Sequence, residues 1–186
     1  MKKLGLIALV ALCSQGAFAQ KMSSKENTVT VGGAPMYPSK DIVDNAVNSK
    51  DHTTLVAAVQ AAGLVETLKS KGPFTVFAPT NAAFDKLPKG TVETLVKPEN
   101  KQLLTGILTY HVVAGKWDAA QLAKLIKKGG GKATLKTVNG GALTAWMKDG
   151  KIILTDAKGG TSTITIKDVY QSNGVIHVID TVVMPG

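Results

Sequence analysis

The spacing of apolar side chains changes character once along the chain, near Lys132. Ahead of that point the apolar positions recur mostly at helical intervals. Ile42, Val43, Ala46 and Val47 form one such set, with Ser39 placed to cap it. Leu55, Val56 and Val59 form a second, and Gly63 suits the position just past a helix end. LVETLKSK predicts a further short helix that stops at Gly72-Pro73. A longer helix is predicted from Pro98 through ENKQLLTGIL, leading into a strand-like TYHVVAG. WDAAQLAKLIKKGGG follows, with Asp118 at the positive end of a helix dipole and Lys124, Lys127 and Lys128 toward the negative end.

Beyond Lys132 the period is two. ATLKTV, ALTAWMK and KIILT are separated by Asn139-Gly140-Gly141 and Asp149-Gly150, so they predict successive strands joined by hairpin turns. TSTITIKDV alternates and is expected to face solvent on one side, whereas VIHVIDTVVM is apolar at consecutive positions and is expected deep in a sheet. One stretch mixes both periods. FTVFAPTNAAFDKLP begins as a strand and must leave it at Pro79, which lacks a ladder donor. Thr80 then caps a short helix that Pro88 stops, so the switch is a corner. Helices interspersed with strands, followed by a β meander, predict an α+β fold.

The first nineteen residues stand apart from this pattern. Lys2 and Lys3 precede an apolar run too short to span a bilayer, and Ala17-Phe18-Ala19 is a small-x-small cleavage site. Residues 1–19 are therefore expected to be a signal peptide cut between Ala19 and Gln20, delivering the protein to the periplasm or the exterior. Leu12 before Cys13 departs from the small residue that a lipid-anchor signal requires. Residues 20–38, rich in Ser, Gly and Pro, are expected to be a flexible tether, and residues 39–185 one domain.

Charge narrows the partners. The chain carries 22 basic side chains, all lysine, against 13 acidic ones. Guanine and phosphate recognition favours arginine forks, and single-strand binding favours aromatic platforms, so nucleic acid is not the expected partner. Weak attraction to an anionic envelope is expected instead.

Catalytic patterns are missing. His52, His111 and His177 show no metal-ligand spacing, no cysteine follows Cys13, and no G-x-S-x-G occurs. GGGKAT lacks the upstream glycine and the Ser or Thr after Lys132 that a phosphate loop needs. Asp156 and Asp168 are isolated carboxylates, and Trp117 and Trp146 suit core packing or edge covering better than sugar stacking. His177 in an apolar run suits a satisfied core histidine, and His52 suits an exposed or capping position. No catalytic residue, metal or cofactor is expected.

Three segments in order resemble the fasciclin domain family. They are FTVFAPTNAAFDKLP with Thr80, Asn81 and Phe84, then Tyr110-His111 in LTYHVVAG, then NGVIHVIDTVVMP with His177. The likeness covers about residues 39–185. It implies a wedge in which an antiparallel β-sandwich carries several helices on one side. It also implies a non-catalytic adhesion module that recognises proteins or surfaces. In animal members a tyrosine-histidine pair and an aspartate-isoleucine pair are implicated in integrin binding. Tyr110 and His111 match the first, and Asp168 and Val169 match the second with Val for Ile. The expected partner is a surface protein or polysaccharide of unknown identity, and the protein is not expected to span a membrane. The alternative is an extracytoplasmic carrier of a small lipid or glycan, while a hydrolase using a histidine and an aspartate has the weakest support.

Overall fold

A computed structural model of the chain describes residues 26–186, so the expected signal peptide, its cleavage site and Cys13 lie outside the described residues. The first elements are a small hairpin, β1 (Val29–Val31) and β2 (Ala34–Met36), turned at Gly32-Gly33. Gly32 has φ +56°, and a Cβ there would lie 2.3 Å from Ser49 Oγ, so the turn requires glycine twice over. Val31 and Met36 are buried among the helices. The expected tether is thus structured over its described C-terminal part. VTVGGAPM is a hairpin pattern of minimal length, and Pro35 is tolerated because the ribbon has two edges.

The helices and strands then follow in chain order. Helix α1 (Ile42–Ala46) is capped by Asp41, whose carboxylate accepts from Asp44 N, and not by Ser39. A 3₁₀ turn at Lys50–His52 leads into α2 (Thr53–Ala62), which ends on Gly63 at φ +73°. After α3 (Val65–Lys69) come β3 (Phe74–Pro79), α4 (Asn81–Asp85) and α5 (Thr91–Leu95). A second 3₁₀ turn at Pro98–Asn100 opens α6 (Lys101–Tyr110). Tyr110 therefore ends a helix and His111 caps it, where the sequence pattern predicts a strand. The strand β4 (Val112–Ala114) begins only after them. Helix α7 (Ala119–Lys128) starts with a capping box between Asp118 and Gln121. The meander is β5 (Lys132–Lys136), β6 (Ala142–Lys148), β7 (Lys151–Thr155), β8 (Thr161–Gln171) and β9 (Gly174–Ile179).

Among the described residues seven strands form one sheet, in the order β4-β3-β9-β8-β7-β6-β5. The sheet is mixed, because β3 and β9 run parallel in register from Phe74↔Gly174 to Pro79↔Ile179. The antiparallel expectation fails at this pair alone among the paired neighbours of the sheet. Nearly a hundred residues separate the two strands, ample for the crossover that parallel pairing needs. Strand β8 pairs with β7 through Thr161–Thr163 and with β9 from Ile164 onward, so it belongs to both halves. The sheet curls until its ends meet, with a bridge at Val113↔Thr137 and a bond from Val138 N to Val112 O.

Curling divides the apolar interior in two. Inside the curl, Phe77, Leu143, Leu154 and Ile179 pack with Leu122 and Ile126 of α7. Outside it, α1 to α6 cover the other face, where Val76, Ala78, Val112, Ile176 and Val178 meet Leu55, Val59 and Leu104. Alternation along β3 and β9 feeds both cores, which is why these central strands are apolar at nearly every position.

Candidate functional site

The residues singled out by the first block hold the fold together. Thr80 Oγ1 accepts from Ala83 N at 3.2 Å and caps α4. Asn81 Oδ1 accepts from Thr54 N (3.0 Å) and Thr53 Oγ1 (3.2 Å), while its Nδ2 donates to Lys50 O (2.9 Å). One amide therefore ties the start of α2 to the start of α4 and satisfies a helix-end N–H. Phe84 is buried in the helix-side core.

Tyr110, His111 and Val169 are buried, at 0%, 2% and 1% exposure, so their side chains do not reach a partner's surface. Tyr110 Oη donates to Ala142 O at 2.6 Å and accepts from Ala157 N at 3.0 Å, pinning α6 to the meander. Val183 N donates to His111 Nε2 at 3.2 Å, which places the proton on Nδ1, and Nδ1 lies 2.8 Å from Ile107 O. Burial pushes the His111 pKa down to about 4, against an opposing pull from the Ile107 carbonyl. His177 is arranged in the opposite sense. Asp168 N donates to its Nδ1 at 3.3 Å, so Nε2 carries the proton and donates to Trp117 O at 2.8 Å. Its ring stacks on Phe77 with centroids 5.8 Å apart. Burial lowers its pKa, with Trp117 O, Asp168 and Asp118 opposing. Both rings are neutral, with both nitrogens engaged by backbone, and neither is free to act as a general base.

Asp168 is different. It sits at φ +59° where β8 slips register against β9, and it is half-buried. Its Oδ1 accepts from Ala119 N at 2.7 Å, so it supplies a second carboxylate to the N-terminus of α7 beside Asp118. The slip turns the next outward residue, Tyr170, onto an exposed ledge, where Lys116 Nζ lies 4.8 Å over its ring. Burial and the Asp168 and Asp118 charges raise the Tyr170 phenol pKa. Trp117 anchors the other side. Its N donates to Thr75 Oγ1 at 2.8 Å and its Nε1 to Ala114 O at 3.0 Å. Lys116, Asp118, Asp168 and Tyr170 thus form a mixed-charge surface around one exposed aromatic ring. Lys116 and Tyr170 are not singled out by sequence pattern, although Tyr170 sits at an outward step of β8.

His52 stands at the N-cap position of α2, but it is buried at 3% exposure and its ring makes no capping bond, so of the exposed or capping position its pattern implies only the place at the helix start is found. Its Nδ1 lies 2.8 Å from Ser49 Oγ. Trp146 is half-buried and donates from Nε1 to Thr155 Oγ1 at 3.0 Å. Among the described residues no group of three His, Cys, Asp or Glu is arranged to hold a metal ion, and no helix is long and apolar enough to cross a membrane.

Comparison with known proteins gives a consistent picture. The sequence profile of the Fasciclin domain matches residues 50–185. Protein sll1483 of Synechocystis sp. is 49% identical over 165 residues, covering 89% of this chain and 84% of that protein. Immunogenic protein MPB70 of Mycobacterium bovis is 38% identical over 145 residues, covering 75% and 66%. Transforming growth factor-beta-induced protein ig-h3 of Sus scrofa is 33% identical over 148 residues, which span 80% of this chain and 20% of that much longer one. A solved FAS1 domain pair from the insect cell adhesion molecule Fasciclin I shares the fold, with a TM-score of 0.70 at 16% identity. The match covers 84% of this chain and 57% of that one.

Proposed function

The chain belongs to the fasciclin domain family, and from that premise we propose that it is a non-catalytic recognition module acting outside the cytoplasm. Its partner in this reading is a protein or polysaccharide of a cell envelope or matrix, met through the ledge of Lys116, Asp118, Asp168 and Tyr170. The observation that carries this assignment is the contrast among the four candidate binding residues. Tyr110, His111 and Val169 are sealed in the interior, whereas Asp168 reaches the surface beside an exposed tyrosine. Tyrosine with a neighbouring cation is a favourable contact pair at interfaces, because the ring buries much area at little entropic cost. Tyr110 and His111 act here as positioning residues that hold α6 and the chain end against the sheet.

The non-catalytic reading is supported by His111 and His177, whose ring nitrogens are occupied by backbone partners. Export through the N-terminal segment, with cleavage between Ala19 and Gln20, brings the domain to that surface. The lysine excess adds a salt-sensitive attraction to anionic envelopes. The test is binding of residues 20–186 to producer cells, host-type cells and envelope polysaccharides at low and high salt. Salt-resistant binding that heat-unfolded protein lacks, and that Tyr170→Ala with Lys116→Ala reduces about tenfold without loss of stability, is expected. Binding that vanishes in salt, or that survives both substitutions unchanged, refutes the assignment of the ledge.

A further inference from the structure

A cavity of about 110 Å³ lies between the helices and the outer face of the sheet. Its walls are mainly apolar, with Ile42, Leu55, Val59, Val76 and Ile176 among them beside the ring of Phe74. It contains none of the ledge residues Lys116, Asp118, Asp168 or Tyr170. Among the described residues no lysine, aspartate or glutamate lines it. The polar side chains in its walls are nearly all occupied or peripheral. His111 has both nitrogens bonded, Thr109 Oγ1 donates within its own helix, and Gln60 and Thr67 stand at the solvent-exposed rim.

One wall residue breaks the pattern. His52 Nε2 is buried without a hydrogen-bond partner, alone in this among side-chain nitrogens and oxygens of the described residues. The Ala78 backbone lies near enough to offset part of the desolvation, but not in hydrogen-bonding geometry. The state of the ring follows from Ser49. That hydroxyl is buried and, among the described residues, has Nδ1 as its one hydrogen-bond partner, at 2.8 Å. Were Nδ1 the donor, the serine proton would itself lack an acceptor, so Ser49 donates and the ring proton resides on Nε2. A buried N–H donor therefore borders a largely apolar space. Water is a poor match for it, since a buried water needs two to four polar partners and dry apolar cavities of similar size take organic molecules instead.

We propose that this cavity binds an uncharged, largely aliphatic molecule whose hydroxyl or carbonyl oxygen accepts a hydrogen bond from His52 Nε2. A plain alkane fills the walls but leaves the donor unpaired, and an ionised carboxylate brings a charge into a space with no cation to meet it. Burial lowers the His52 pKa, so the ring does not supply that cation near neutral pH. The volume suits a small branched alcohol or ketone, or the oxygen-bearing end of a longer chain whose remainder leaves past Gln60 and Thr67.

The experiment titrates the full chain with 1-hexanol, 2-hexanone, hexane and hexanoate at pH 7.5. Methyl NMR shifts of Leu55, Val59 and Ile176 report occupancy, and the His52 ring ¹⁵N signals report the hydrogen bond. Saturable shifts with hexanol and hexanone are expected, with hexane about tenfold weaker, the worth of one net hydrogen bond. Hexanoate should produce none. In His52→Leu the preference for hexanol over hexane should collapse to about twofold or less. If that variant fails to fold, the unaltered protein still decides the matter, because Nε2 must be the protonated nitrogen and must shift with hexanol but not with hexane. Absence of saturable methyl shifts, equal affinity for hexane and hexanol, or tighter binding of hexanoate overturns the proposal. None of these outcomes bears on surface recognition, because the cavity and the ledge have no residue in common.

Discussion

Inside the curled sheet, the polar atoms brought into the interior are accounted for. Tyr110 bridges Ala142 and Ala157, and His177 bridges Trp117 and Asp168 while stacking on Phe77. On the helix side, across the same strands, the packing leaves a cavity and the one unpartnered imidazole nitrogen among the described residues. The two cores share β3 and β9, so their difference comes from what covers each face. Strands closing on strands fix spacing through a hydrogen-bond ladder, and α7 completes that enclosure. Short helices of five to ten residues, joined by loops, meet the other face with less constraint. A domain can thus pack one half tightly and leave room in the other.

Truncation should expose the contrast most strongly. Leu154→Ala, fully buried inside the curl, should cost about 4–5 kcal/mol in urea unfolding. Leu55→Ala on the cavity wall should cost about 2–3 kcal/mol, because its side chain already lacks part of its contacts. Equal losses would break the comparison. Acid should affect both halves. His111 is neutral when folded and titrates near 4, whereas the unfolded ring binds a proton near its ordinary 6.5. Its contribution is present above pH 6.5 and lost as pH falls toward 4, amounting to about 3 kcal/mol. His52 and His177, also lowered by burial, add loss in the same direction. Unfolding at pH 7.5 and 4.5, with NMR titration of the His111 ring, checks this, and a ring that titrates near 6.5 in the folded state would refute it.

Enlargement should give opposite signs. Ala145→Val, at a fully buried site inside the curl, should destabilise by about 1–3 kcal/mol. Val59→Ile, pointed at the cavity wall, should be neutral or stabilise by up to about 1 kcal/mol. Matching signs in thermal unfolding would mean the two cores are equally full. The ledge combines one modest effect with the smallest of all. Asp168→Ala should cost about 1–2 kcal/mol by removing a helix-end acceptor, while Asp168→Gly should cost less because glycine accepts φ +59°. Tyr170→Ala should change stability by less than about 0.5 kcal/mol, leaving binding as its sole readout.

The sequence carried the local features with little ambiguity. Pro79 and Thr80 announce the corner, Asp118 the start of α7, and Gly140 and Gly150 the hairpins, because each acts through neighbours within about four residues. The three family blocks point to the family in the same way. The candidate site was less legible. Tyr110 and His111 read as a strand because aromatic and β-branched residues surround them, yet amphipathic continuity carries α6 through Tyr110. Their depth comes from Ala142, Ala157 and Val183, which are distant in the chain. Asp168 read as a lone carboxylate, and only the register slip brings it to Ala119, 49 residues away.

By itself, then, the sequence determined where most elements lie, which of their faces are apolar, and which family the blocks resemble. Tertiary structure alone decided the parallel pairing of β3 with β9, the burial of His52 and the volume left beside it. Periodicity states that a face must be covered, whereas the choice of cover, and how tightly it fits, depends on contacts between residues far apart in the chain.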